Sequence, residues 1–252
     1  MSGHSKWSTI KHGKAVTDAR RGKLFTKLTK EIIAAARQGG GDPSSNFRLR
    51  MAVQRAKDSN MPSNNIERAI KRATGDGSGQ DQMEEVIYEG YGPGGTAILL
   101  ETLTDNKNRT VSDVRSTFTK IGGNLATAGA VAWQFSQKGV LVIETSHDEA
   151  DNTALLAIDA GAEDFEADGP TIHAYTSGDK LEDTRKALIE GGASVKSFEL
   201  SMVPVNTVSL DSKTARQTLK LLDQLEEIDD VQKVYSNADF PDDVLEQYSS
   251  EN

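Results

Sequence analysis

Arg20, Lys23, Lys27, Lys30 and Arg37 recur at helical spacing near the start of the chain. At 3.6 residues per turn they fall within an arc of about 100°. Only Asp18 and Glu31 oppose them over that stretch. An exposed helix ordinarily interleaves both signs at i, i+4, so a one-signed row is the electrostatic footprint of a polyanion contact. Further cations follow at Arg21, Arg48, Arg50, Arg55, Lys57, Arg68, Lys71 and Arg72. Ahead of the row, Lys6, Lys11, His12 and Lys14 surround Trp7. A basic arm with one aromatic can fold onto nucleic acid with its indole stacked on a base. Equally, Trp7 can dock on a helical bundle, since a lone Trp usually finds an apolar contact.

Other chemistry has little support. There is no cysteine, which removes disulfides, zinc–cysteine sites and thiol nucleophiles. His4, His12, His147 and His173 form no HxxxH or HxxH pair, and a closed metal site would need scattered carboxylates that nothing marks. Nucleophile elbow, Walker loop and dinucleotide fingerprint are all missing. Gly92–Gly95 reads as a turn between two strands. Lys107 and Arg109 precede a helix; they are either a possible anion site at its positive end or a solvated loop with an N-cap. Trp133 and Phe135 lack an RNP1 pattern and read as core. The expectation is therefore a non-enzyme with no cofactor, no metal and no small-molecule substrate. No apolar run approaches the roughly 20 residues of a membrane span, and the first residues hold no apolar signal segment. A cytoplasmic location is the default.

The elements that must carry these residues follow from periodicity. Apolar positions at Leu24, Phe25, Leu28, Ile32, Ala35 and Ala36 predict a helix over about Val16–Gln38, ended by Gly39-Gly40-Gly41. A second helix is expected over about Asn46–Ser59. A third begins at Ser63 or Asn64, with Asn64 and Glu67 as a capping box and Gly75 as the C-terminal cap. Residues 1–13 read as a flexible basic arm and 14–75 as a basic three-helix bundle. The polar, Gly-rich stretch 76–82 reads as a linker.

Beyond it the fold class expected is α+β. Residues 139–204 read as strand, helix, strand, strand, helix, strand, the ferredoxin-like plan. Residues 83–138 plus 205–240 form a second ferredoxin-like αβ domain into which the first is inserted. In it, Val131, Trp133 and Phe135 alternate as a half-buried strand does. Residues 241–252 read as an acidic tail.

Charge divides at the same place. Residues 1–75 carry 16 basic and 5 acidic side chains, net +11, and the remainder carries 13 and 33, net −20. A basic end selects a polyanion, and an acidic body limits how much of the protein lies along one.

Six segments are familiar together: Gly3–Ala15, Asp18–Ile32, Gly39–Val53, Asn60–Gly75, Tyr88–Ile98 and Asn108–Leu125. They closely resemble the YebC/PmpR family. Gly13 departs from it where many members have a basic residue, and Phe47 where many have Pro. The resemblance implies a small helical domain and two αβ domains, one inserted in the other. It also implies a non-catalytic role in gene expression. The family's usual label is a cytoplasmic, DNA-binding probable transcriptional regulatory protein. Members include the mitochondrial translational activator of cytochrome oxidase, and bacterial relatives are implicated in relieving ribosomes stalled at proline runs. The partner expected is nucleic acid, with ribosomal RNA and a translation role placed first and DNA second. Neutralising Arg20, Lys23, Lys27 and Lys30 together is expected to weaken binding across sequences. It should flatten the salt dependence by roughly 0.7–0.9 for each phosphate left without its cation, as titrations at several salt concentrations will show.

Overall fold

The computed structural model describes Trp7, residues 18–75 and residues 83–250; for residues 18–20 and 147 it describes the backbone alone. The expected linker 76–82 and, Trp7 aside, the expected arm 1–13 lie outside the described residues.

Three helices form the basic unit: α1 (Asp18–Gly39), α2 (Phe47–Asp58) and α3 (Ser63–Thr74). Their core is Leu28, Ile32, Leu49, Ala56, Ile66 and Ala69 with their neighbours, drawn from one stripe of each helix. Gly40 ends α1 in the left-handed region, at φ +86°. Buried Asn46 then joins two helix ends. Its Oδ1 accepts the Leu49 N–H at 3.0 Å, and its Nδ2 donates to the Ala35 and Gly40 carbonyls, each at 2.8 Å. The expected capping box on α3 is not made: Pro62 is the N-cap, and no side chain caps the helix. Proline fixes φ where an unpaired N–H would otherwise stand, so Asn64 is left exposed.

The rest of the chain adds β1 (Glu84–Tyr91), β2 (Ala97–Thr104), α4 (Lys107–Lys120), β3 (Asn124–Leu125), β4 (Phe135–Glu144), α5 (Ala150–Asp159), β5 (Asp164–Asp168) and β6 (Thr171–Thr176). It continues through α6 (Leu181–Glu190), β7 (Ser194–Pro204), β8 (Val208–Ser209), α7 (Ser212–Glu226), β9 (Val231–Ser236), β10 (Ala238–Asp239) and α8 (Asp242–Ser250). One antiparallel sheet has the order β3-β1-β2-β9, and another has the order β5-β6-β4-β7. The second sheet lies, in sequence, between strands of the first.

The second sheet follows the ferredoxin-like plan: its first and third strands are central, and both connecting helices pack on its core. The first sheet departs from that plan. Its central strands, β1 and β2, are consecutive and pair directly as a hairpin. The turn between them places Gly94 and Gly95 at φ +72° and +75°, and the Gly92 N–H bonds the Thr96 carbonyl at 2.8 Å. That tight reversal leaves no room for a crossover helix. Helices α4 and α7 cover one face, where Ile98, Leu100, Val114, Phe118, Leu219 and Leu222 meet.

Two further expectations are corrected. Residues 131–134 are no strand: residues 132–134 form a 3-10 turn, Trp133 is 71% exposed, and the strand begins only at Phe135. The cause is the buried Glu89 carboxylate, which accepts N–H bonds from Gly129, Val131 and Ala132 at 2.6–2.8 Å and bends the chain around itself. Burial alone would raise this carboxyl, but the three N–H bonds outweigh it and lower the pKa. The expected acidic tail is largely helix α8, whose Val244 and Leu245 are buried in the first sheet's core.

The close approach of α4 to β1 depends on Gly90. A Cβ there would stand 2.5 Å from the Phe118 ring and 2.8 Å from the Asn124 carbonyl. Gly90→Ala is expected to lower stability by about 1–3 kcal/mol through overpacking, read from the urea midpoint.

Candidate nucleic-acid interface

Lys23, Lys27 and Lys30 do form one row on α1, but the row faces the acidic body. Lys23 pairs with the Glu227 carboxylate. The Lys27 ammonium donates to the Glu226 carbonyl at 2.5 Å. That of Lys30 donates to Asp230 Oδ1 at 2.8 Å and to the Asp229 carbonyl at 3.1 Å. The acceptors are the end of α7 and the turn into β9. The last carbonyls of a helix have no partner within it and carry its negative dipole end, so an ammonium row satisfies both.

Asp230 is the hub of this contact. It is 3% exposed and, besides Lys30, accepts from Arg109 at 2.7 Å, Thr110 at 2.8 Å and Thr104 at 3.2 Å. Burial pushes its pKa up. Hydrogen bonds from Lys30, Arg109 and Thr110 and the charge of Lys30 more than reverse this and bring it to about 2. Near the start of α4 this carboxylate is an anion that Arg109 meets within the chain. Arg109 also bonds Asp105 at 2.7 Å, and Lys107 pairs with Glu84. Its hydrogen bonds to the two aspartates hold the Arg109 pKa above its usual value.

Several other cations are engaged inside the chain. Arg48 pairs with Glu85 on β1 and bonds Gln38 at 2.6 Å. Arg50 donates to the Pro43 and Ser44 carbonyls and lies over the Phe47 ring at 5.4 Å. Arg55 pairs with Glu31 at 3.3 Å; burial opposes its charge, but Glu31, Glu199 and Glu101 hold its pKa up. A cleft of about 1810 Å³ runs between the helical unit and the two sheets, lined by both signs of charge. Arg37, Lys30 and Arg72 line a smaller cleft of about 300 Å³ with Phe25 and Met83.

Trp7 neither stacks outward nor anchors the bundle. It is 3% exposed in the core of the first sheet, its ring 6.2 Å from that of Phe240. Lys6, Lys11, His12, Lys14 and the side chain of Arg20 lie outside what the structure describes. Arg21 is exposed on α1.

Further exposed cations are on α3. Arg68, Lys71 and Arg72 are exposed, as is Asn64 one turn ahead of Arg68. By helical periodicity the four span an arc of about 100°. Helices α2 and α3 are joined by four residues, Ser59–Pro62, with Asn60 in the left-handed region at φ +58°. That is the connection length of a helix-turn-helix. From sequence no helix opens with an obvious base-reading set, because Asn64 is assigned to the cap. The capping signal was the misleading one. The Glu226–Asp230 acceptor segment was equally hidden, as one more acidic run.

Among the described residues, no three His, Cys, Asp or Glu side chains gather as a metal would need, and no helix is long and apolar enough to cross a membrane. The fold is thus an α+β protein with a net-basic helical unit set against two antiparallel sheets. Residues 5–76 match the model of the TACO1/YebC protein N-terminal domain, and residues 83–238 match that of the TACO1/YebC second and third domain. The chain belongs to the TACO1/YebC family, a non-enzymatic one. It is 56% identical over 251 residues to a probable transcriptional regulatory protein of Dehalococcoides mccartyi, covering 100% of both chains. A protein with the same description from Halothermothrix orenii is 49% identical over 254 residues, again with 100% of both covered. The crystal structure of a conserved hypothetical protein from Aquifex aeolicus is similar at 45% identity and a TM-score of 0.83, covering 92% of this chain and 96% of that one.

The Asp230 network has a pH signature. A carboxyl whose pKa falls from 3.8 to about 2 on folding stabilises fully above its unfolded value, and the gain is lost as pH falls through its folded value. Asp230→Asn should therefore cost about 2 kcal/mol near neutral pH. The difference from wild type should shrink toward zero between about pH 4 and pH 2 in denaturant titrations.

Proposed function

We propose that the protein is a DNA-binding regulator of transcription that works in the cytoplasm through its helical unit. The observation that carries this reading is the outward side of α3. Asn64 and Arg68 are the side-chain types that pair with adenine and guanine edges in the major groove. Lys71 and Arg72 continue the same arc and suit flanking phosphates. The length of the α2–α3 connection fits that docking. The relatives' description as probable transcriptional regulatory proteins points the same way.

The charge polarity of +11 against −20 favours a second reading, a translation factor on ribosomal RNA. An acidic body disfavours long contact with a duplex, whereas a compact basic end suits irregular RNA.

Selection of preferred duplexes from a random pool, followed by competition at physiological salt, separates the two. The DNA reading expects a preferred site bound at least roughly 10³-fold more tightly than random duplex. Arg68→Ala should then relax preference at one position by about 1–3 kcal/mol, while Lys71→Ala weakens all sequences alike. If no duplex outcompetes random DNA and the protein instead co-sediments with ribosomal subunits, the translation reading replaces it.

A further inference from the structure

Apart from Trp7, which is buried in the first sheet's core ahead of α1, no apolar cluster among the described residues joins the helical unit to the body. Among the described residues, its core cluster draws only on its own three helices, and the other clusters contain none of their side chains. Polar contacts cross the boundary: Lys23 with Glu227, Lys27 with the Glu226 carbonyl, Lys30 with Asp230, Arg48 with Glu85, and Arg55 in the field of Glu199 and Glu101. Clefts of about 300 and 1810 Å³ open beside these pairs. An interface of this kind is weak and screened by salt, and relative motion is its ordinary consequence. Of these three ion pairs, Lys30–Asp230 is the largely buried one; both side chains of Lys23–Glu227 and of Arg48–Glu85 are over 40% exposed.

The acceptors also resemble a nucleic-acid backbone in kind. Over five residues, Glu226–Asp230 presents carboxylate and carbonyl oxygens to a row of ammonium groups one helical turn apart. Such a row can satisfy successive phosphates in the same way.

We infer that Glu226–Asp230 is an internal competitor for the polyanion, masking the α1 lysine row until nucleic acid displaces it and the helical unit swings from the body. This rests on the nucleic-acid reading above and adds to it a second binding surface, one that the closed arrangement hides. Binding would then come in two steps: the exposed side of α3 engages first, and Lys23, Lys27 and Lys30 follow once released.

The chain has no cysteine, so Ser45→Cys and Ser249→Cys, on exposed residues of the two parts, admit one dye pair in the full-length protein. Energy transfer is followed with sodium chloride and then with a 30-base-pair DNA duplex of random sequence. The variant pair Glu85→Gln and Glu227→Gln removes the two exposed anchors and spares Asp230, whose loss threatens folding. Glu190→Gln with Glu246→Gln, exposed residues away from the boundary, matches the change in net charge. Expected are a fall in transfer with DNA, lower transfer in the anchor variant at low salt, and DNA binding about three- to tenfold tighter than in the charge-matched control. If DNA binds but transfer stays constant, or if anchor and control variants bind DNA equally, the masking model is overturned and the nucleic-acid reading stands. If neither wild type nor variants bind DNA or an RNA of the same length, the nucleic-acid reading itself fails and takes the model with it.

Discussion

A buried carboxylate must be met by cations and donors or be driven neutral, and Asp230 is met from two directions. Lys30 reaches it from the helical unit and Arg109 from α4, with the Thr104 and Thr110 hydroxyls filling the remaining acceptor positions. Its backbone carbonyl also takes the Leu103 N–H at 2.8 Å, which ties the turn to the first sheet. The placement of the basic helices against the body therefore hangs on one charge. The other polar contacts of α1 with the body named above are the exposed Lys23–Glu227 pair and the Lys27 bond to the Glu226 carbonyl, and an exposed pair contributes little.

The same logic recurs at smaller scale. Glu89 gathers three backbone N–H groups and so shapes the turn that carries Trp133 outward. Asn46 satisfies two carbonyls at the end of α1 and one N–H at the start of α2. In each case hydrophobic burial makes the local core, and a single polar group decides how neighbouring pieces are oriented. Apolar packing is non-directional, whereas a buried hydrogen-bonding group tolerates few geometries.

The basic end is consequently two surfaces rather than one. The α1 row is turned inward onto the end of α7, and the α3 set is turned outward. A net charge of +11 describes both equally and distinguishes neither. The distinction bears on function, because an outward set is available on encounter and an inward row is available only to a ligand that outcompetes the body.

The helices and most strands were legible in the sequence because their patterns are local. The stripe from Leu24 to Ala36 and the glycines after α1 each lie within a few turns of chain. The reversal of charge near residue 76 was legible for the same reason. The central place of the β1–β2 hairpin in the first sheet, the turn around Glu89, the docking of Trp7 against Phe240 and the burial of Val244 and Leu245 were not. Each depends on groups that are distant in the chain. The lysine row shows the division most plainly. Helical periodicity alone determined that Lys23, Lys27 and Lys30 share one flank of α1. Only the tertiary structure decided what that flank faces, because its partners lie about 200 residues away, at the end of a helix whose unpaired carbonyls and buried aspartate required cations.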